Sequence, residues 1–277
     1  DKPVMNIAGY AQYISPKFLD MIQVTLSGRY DRMFFDYTDL GGTNETKSKS
    51  FDMFTPRAAV VVSLTDKLTL KTIVGQAFRT PTPTAMFGYN TYTLASNLTQ
   101  LKPEVVTNVD FGVIWEPSEK LGLRVNAFWM NFENQIAYSV ANANLSTNIY
   151  TLETAGFEVE TRFSIAKLTG FANFTMANRL SETIKDNTIT ASPSDVTWAP
   201  ATTFNLGLNY NIQNLKISFL GKYHGKMLRR QSDIYAGMTT YRPEKEVDGW
   251  FIADLKASYD LTKQIEFGIS VKNILDT

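Results

Sequence analysis

Apolar and polar residues alternate with a period of two over nearly the whole chain, and no stretch of comparable length shows the helical period of about 3.6 residues. Between positions 251 and 261, Phe251, Ala253, Leu255, Ala257, Tyr259 and Leu261 are apolar or aromatic, while Asp254, Lys256, Ser258 and Asp260 are polar. Successive side chains of a strand point to opposite faces, so this is a strand with one oily and one wet face. The pattern recurs at Phe204, Leu206, Leu208, Tyr210 and Ile212, at Ile265, Phe267, Ile269 and Val271, and at Ile22, Val24, Leu26 and Tyr30. The expectation is an all-β chain with essentially no long helix.

The connections between these runs are alternately short and long. Short ones fall near Ser15-Pro16-Lys17, Asp66-Lys67, Pro117 to Lys120, Ala166-Lys167, Gln213-Asn214 and Thr262-Lys263. Long ones run roughly Asp36 to Phe54, Thr80 to Pro103, Ser139 to Asn148, Glu182 to Val196 and Arg229 to Glu244. About twelve strands in up-and-down order are predicted, near 4–14, 21–36, 55–65, 68–79, 104–116, 121–138, 150–165, 168–181, 197–212, 215–228, 245–261 and 264–274. Short turns on one side and long polar loops on the other are the pattern of a transmembrane antiparallel β-barrel. Each run supplies the roughly 9–11 residues that cross the hydrocarbon layer at a tilt. Trp115, Trp129, Tyr30, Tyr210 and Tyr223 fall near strand ends on the oily face, where an aromatic girdle meets the membrane interface. A soluble β-sandwich also alternates, but with shorter strands and without this two-sided asymmetry.

Composition closes off other classes. The longest strictly apolar run is Ala58 to Val62, far short of the roughly 20 residues of a transmembrane helix. Aromatic residues at 13% and charged residues at 19% suit an oily outer wall with an aromatic girdle. Equal counts of 27 Lys+Arg and 27 Asp+Glu give no electrostatic case for nucleic acid as a partner. The absence of Cys and the single His argue against a disulfide framework, thiolate metal sites and two-histidine zinc motifs. A barrel hydrolase would need a Ser-His pair with an acidic orienter, and His224 is flanked by Tyr223 and Gly225, so no enzyme is expected. No resident metal or cofactor is expected either.

The run beginning at residue 4 starts on the long-loop side, and Asn273-Ile274-Leu275-Asp276-Thr277 ends there too. Bacterial barrels keep both termini at their short turns, and an unclosed sheet in lipid leaves unpaired edges. The expectation is that residues 1–277 are part of a larger barrel, with at least one further strand at each end.

Several stretches, taken in order, carry a family resemblance. They are Leu26-Ser27-Gly28-Arg29-Tyr30-Asp31, Phe54-Thr55-Pro56-Arg57, Gly75-Gln76-Ala77-Phe78-Arg79-Thr80-Pro81, Leu101-Lys102-Pro103-Glu104 and Asn108-Val109-Asp110-Phe111-Gly112. Asn126-Ala127-Phe128, Ala155-Gly156-Phe157-Glu158-Val159-Glu160 and the closing Asn273-Ile274-Leu275-Asp276 continue the series. Their order and spacing resemble the C-terminal half of the barrel of TonB-dependent outer-membrane receptors, whose barrels have about 22 strands and a plugged lumen. The resemblance implies that this chain supplies approximately strands ten to twenty-one, without the plug domain. It also implies a bacterial outer-membrane receptor that takes up a scarce nutrient, most readily a ferric siderophore or related metal chelate, energised by TonB acting on the plug. Implied partners are TonB, the receptor's own plug and remaining strands, outer-membrane lipid and the nutrient ligand. Cobalamin or glycan import by the same family, or a passive porin or surface adhesin on the same barrel, are the alternatives.

Candidate site residues fall into two groups. By resemblance, Asp110 and Glu158 pair with plug arginines and hold the plug; a hydrated lumen carboxylate is the other reading of each. Arg57 and Arg79 lie near the outer ends of one hairpin on its inward face, and two guanidinium groups there suit carboxylate, phosphate or catecholate ligands as well as plug docking or rim solvation. Arg229 and Arg230 open another long loop and are read in the same way. Phe87, Tyr89 and Tyr92, in the loop from Thr80 to Pro103, can stack on an extended ligand or pack the loop. Haem importers of the family carry a histidine in this loop; none lies between Arg79 and Glu104, and His224 is expected as a hydrogen-bonded wall residue facing the lumen.

Overall fold

The computed structural model describes residues 4–38, 40, 44–87, 101–139, 145–184, 199–228 and 246–276. Its strands are β1 (Val4–Ile14), β2 (Ile22–Thr38), β3 (Thr46–Thr65), β4 (Leu68–Arg79), β5 (Glu104–Ser118), β6 (Leu121–Ser139), β7 (Leu145–Ile165), β8 (Leu168–Ile184), β9 (Thr202–Ile212), β10 (Leu215–His224), β11 (Met227–Leu228), β12 (Glu246–Val247), β13 (Trp250–Asp260) and β14 (Glu266–Val271). One short helix, α1 (Pro83–Phe87), follows β4. Twelve strands form a single antiparallel sheet in chain order, β1 to β10 then β13 and β14; β11 and β12 make a separate two-stranded ribbon between β10 and β13. Among the described residues β1 pairs only with β2 and β14 only with β13, so the sheet is open.

All six short turns stand where the alternation breaks. Three carry non-glycine residues in the left-handed region: Leu19 at φ 50° and Asp20 at φ 57° in the first, Ala166 at φ 52°, and Gln213 at φ 50°. This tight reversal costs roughly 1–2 kcal/mol for each such residue, offset by the paired strands it joins.

The two faces of the sheet differ chemically. Leu26, Phe54, Val60, Val74, Phe111, Phe157, Leu255, Phe267 and Ile269 are large, apolar and exposed on one face. The opposite face carries Gln23, Arg57, Lys71, Asp110, Asn126, Glu158, Asn205, Ser218 and Lys256, in register from strand to strand. A soluble sandwich would hide the first face. Here it is the outside of the sheet, the arrangement that a lipid solvent stabilises.

Polar belts bound this oily face. Toward the long loops, the Tyr30 hydroxyl donates to Asp52 Oδ1 at 2.5 Å, with Arg32 Nε 3.7 Å from the same oxygen. At a similar level the Trp129 indole donates to Glu153 Oε1 at 2.6 Å and the Ser181 hydroxyl to Glu153 Oε2 at 2.9 Å. Toward the short turns stand Trp115, Tyr210 and Tyr259. From Ile22 to Tyr30 the tilted strand climbs roughly 20 Å, close to the apolar height of about 25 Å of such barrels.

Several strands continue past the upper belt, which corrects the expected loop from Asp36 to Phe54. β2 and β3 remain paired out to Thr38 and Thr46, whose hydroxyls are 2.9 Å apart, and Ser48 donates to Asp36 at 2.5 Å. β7 likewise begins at Leu145, five residues before the expected start at Tyr150. Beyond the lipid the outer face turns polar at Arg32, Asp36, Ser48 and Asp52 while Phe35, Tyr37 and Phe51 are buried on the inner one, so the membrane alternation breaks while backbone pairing persists. The last strands are shorter than expected: β9 starts at Thr202, β10 ends at His224 and β13 starts at Trp250. Gly225 and Gly249 mark this break; a Cβ on either would lie 2.9 Å from a carbonyl oxygen, of Thr202 and His224 respectively.

Candidate functional site: the inner wall and its outer mouth

The inner wall is organised by the motif stretches, which the register lays side by side. Asp110 pairs with Phe128 and Gly112 with Asn126 across β5 and β6; Phe128 pairs with Gly156 and Asn126 with Glu158 across β6 and β7. The Phe128 ring lies over Gly156, where a Cβ would come within 2.6 Å of it and within 2.1 Å of the Met176 carbonyl oxygen. Glycine in the Ala155-to-Glu160 stretch is therefore the seat of an aromatic ring two residues from Glu158.

Asp110 and Glu158 line one recess, together with Lys71, Arg124, Asn126 and Glu160. Their strands lie about 10 Å apart with one between, and Glu158 stands one same-face position off the row of Asp110, Phe128 and Gly156. The Asn108 amide donates to Asp110 Oδ2 at 2.6 Å. Toward the short turns lies a cluster that sequence reading missed. Glu116 is 3.3 Å from Arg162 and 3.7 Å from Arg124, and Arg124 reaches Glu160 at 4.0 Å. All four alternate onto the wet faces of β5, β6 and β7, and that is the signal that could have found them.

Arg57 and Arg79 differ in height and surroundings: Arg79 ends β4 at the outer mouth, whereas Arg57, opposite Ser27 and Gly75, stands midway along β3 rather than near its outer end as expected, because β3 runs on to Thr46. Arg57 is exposed, its stem lies over Gly75, and no ion pair forms at it among the described residues. Arg79 forms a two-pronged ion pair with Glu104, Nε to Oε2 and Nη2 to Oε1, the latter at 2.8 Å. Glu104 is buried and also accepts the Ile136 backbone N–H at 2.8 Å. Neither Glu104 nor Asn148 was expected here. The Asn148 side chain accepts from Lys102 N at 2.9 Å and donates to Lys102 O at 3.0 Å and Asn134 O at 2.6 Å.

After Arg79 the chain turns inward into α1. Thr82 caps α1, its hydroxyl accepting from Ala85 N at 3.1 Å, and Pro83 occupies the first helical position. Met86 is fully buried against a small core of Phe35, Tyr37, Phe51 and Leu101, flanked by Met33, Ala85 and Ile136.

His224 faces inward at the end of β10 and stacks on Trp250, with ring centroids 4.0 Å apart and planes 18° from parallel. The expected hydrogen-bonded wall histidine is thus a stacked one, because its cross-strand partner is an indole. The Phe87 side chain, Tyr89, Tyr92, Arg229 and Arg230 lie outside the described residues. Among the described residues no group of three His, Cys, Asp or Glu side chains could hold a metal ion.

The pattern described as "TonB dependent receptor-like, beta-barrel" matches residues 4–274. The chain belongs to the TonB-dependent receptor family. Solved structures of similar shape include the FrpB iron transporter from Neisseria meningitidis, 18% identical with a TM-score of 0.72, which this chain matches over its whole length and over 42% of that chain. The ferric-catecholate import receptor Fiu from E. coli is 18% identical with a TM-score of 0.73, over all of this chain and 41% of its own. The copper transporter OprC is 15% identical with a TM-score of 0.72, over all of this chain and 42% of its own. At these identities the likeness shows the fold. This chain spans about two-fifths of the length of those receptors, and its open sheet fits a partial barrel. No curated protein matches the sequence. The family is one of transport receptors, and its barrels sit in outer membranes.

Proposed function

We propose that this chain forms part of an outer-membrane receptor that imports a ferric siderophore or a related metal chelate, energised through TonB. The observation that carries this reading is the continuous polar inner wall, with exposed Arg79 at the mouth and, midway, exposed Arg57 together with Asp110 and Glu158. Such chelates often present carboxylate or catecholate oxygens, which guanidinium groups bind well. The long-loop end faces the cell surface and the short turns face the periplasm, as in bacterial barrels generally.

In this reading residues 1–277 are approximately strands ten to twenty-one of a 22-stranded barrel. Asp110 and Glu158 dock the plug by pairing with plug arginines, and TonB acts through the plug. The similar structures include an iron transporter, a ferric-catecholate receptor and a copper transporter, which favours a metal chelate over cobalamin or a glycan. The test is growth of a strain lacking the full receptor, supplied with single ferric chelates, copper, cobalamin or a glycan as the sole source of the nutrient concerned. Loss of growth on one ferric chelate supports the reading. Normal growth on every chelate, or a defect only on cobalamin or a glycan, overturns it.

A further inference from the structure

Of the motif stretches, Leu101 to Glu104 has no role in the transport reading beyond family resemblance, and Gly75 to Pro81 enters it only through Arg79. The register gives them a shared role. Arg79 and Glu104 are the first cross-strand pair of β4 and β5, the root of the connection that carries α1. At that root the Glu104 carboxylate, 1% exposed, takes three donors: both prongs of Arg79 and the Ile136 N–H of β6. Two residues before Glu104, Lys102 is held through both its backbone N–H and C=O by Asn148 of β7, which also binds the Asn134 carbonyl.

The direction of the fold follows. A connection leaving the top of a barrel can stand up into water or turn into the lumen. Here α1 touches both β2 and β7, strands with four others between them, on the concave side of the sheet. Met86 is 0% exposed among inward-facing residues of β2 and β3. A five-residue helix has too few internal hydrogen bonds to hold itself there; Arg79, held by Glu104, stands three residues before its cap Thr82, and Lys102, held by Asn148, follows Leu101, which packs with Met86.

We propose that Glu104 and Asn148 are positioning residues: a two-point latch that holds α1 and Leu101 folded into the outer mouth, on the path that cargo must cross. Glu104 gathers β4, β5 and β6 at one carboxylate, and Asn148 ties the incoming backbone to β7. Buried polar groups with all their partners in place give a unique geometry, which a purely apolar contact at Met86 would not. The inference is independent of which cargo is carried, so it can fail while the transport reading stands, and the reverse.

The test uses the full-length receptor on intact cells. The chain has no cysteine, so, with any cysteine elsewhere in the receptor replaced, a single introduced thiol reports its own site. Met86→Cys reports the latched helix, and Leu40→Cys, at a position 70% exposed, reports that the barrel is folded and displayed. A membrane-impermeant maleimide is expected to label Leu40→Cys readily and Met86→Cys slowly. Glu104→Gln and, separately, Asn148→Ala are expected to raise Met86→Cys labelling at least about tenfold while leaving Leu40→Cys unchanged, the behaviour of a local opening. If Glu104→Gln abolishes the Leu40→Cys signal, Arg79→Lys, which keeps the charge and loses the fork, takes its place with the same expectation. Met86→Cys labelling as fast as Leu40→Cys without any latch change, or equally slow with the latch intact and broken, overturns the proposal.

Discussion

Replacing Gly156 with alanine tests the packing that sets the wall around Glu158. The added Cβ would lie 2.1 Å from the Met176 carbonyl oxygen, 2.6 Å from Phe128 Cζ and 2.9 Å from Ala177 Cα. Two of these three neighbours are backbone of β8, which no rotamer change can move. Relief needs the β7–β8 ladder to separate by about an ångström, more than a carbon–oxygen contact tolerates. Overpacking of this kind costs roughly 1–3 kcal/mol, and a backbone obstruction places Gly156→Ala at the top, near about 3 kcal/mol, or some hundredfold in the folding equilibrium. Gly112→Ala is the matched control. It sits two strands away on the same face, its new Cβ meets nothing closer than Asn126 Oδ1 at 3.6 Å, and a change of under about 0.5 kcal/mol is expected. Phe128→Leu in the Gly156→Ala background should recover only part of the loss, because the Met176 oxygen remains. The assay is urea unfolding of the full receptor folded into lipid vesicles, compared by midpoint at unchanged slope. Equal midpoints for Gly156→Ala and Gly112→Ala, or full recovery by Phe128→Leu, would refute the reasoning.

Other expectations concern individual side chains. Glu158→Ala in the full receptor should loosen the plug, seen as increased sensitivity of cells to antibiotics too large for porins; unchanged sensitivity counts against plug docking. Trp129→Phe removes one donor to Glu153 and should destabilise the barrel by about 1 kcal/mol, read from the same urea midpoint. Arg124→Ala breaks ion pairs that are half-exposed on both sides, and its effect should stay below about 1 kcal/mol and shrink further in high salt.

The strand order, the six short turns and the orientation of both faces were legible because water and lipid impose opposite demands on alternate residues. Where that contrast ends, legibility ends. Thr46 to Phe51 pairs as strand yet reads as loop, since Ser48 and Lys49 both meet water. Arg57 and Asp110 could be assigned a face from parity alone. The partnership of Arg79 with Glu104 could not, because 25 residues separate them and only the register brings them opposite. Asn148 was still less visible: its three bonds go to backbone atoms, which no side-chain pattern encodes. The Glu116–Arg124–Glu160–Arg162 cluster was within reach, as each member sits on a predicted wet face, but choosing it required knowing which strands are neighbours.

The belt at Tyr30 and Asp52 sits about halfway along the β2–β3 hairpin. From Tyr30 to Thr38 the paired ribbon rises another 20 Å or so at the same tilt. This part of the wall therefore stands well clear of the lipid headgroups, while β4 ends at Arg79 and β10 at His224. An encounter complex can form in open solution, before a diffusing solute has to penetrate the crowded, negatively charged layer next to the membrane. Height, set by polar residues that leave no trace in the hydrophobic pattern, thus becomes a kinetic property of the molecule: it lengthens the part of the surface on which a productive collision can begin.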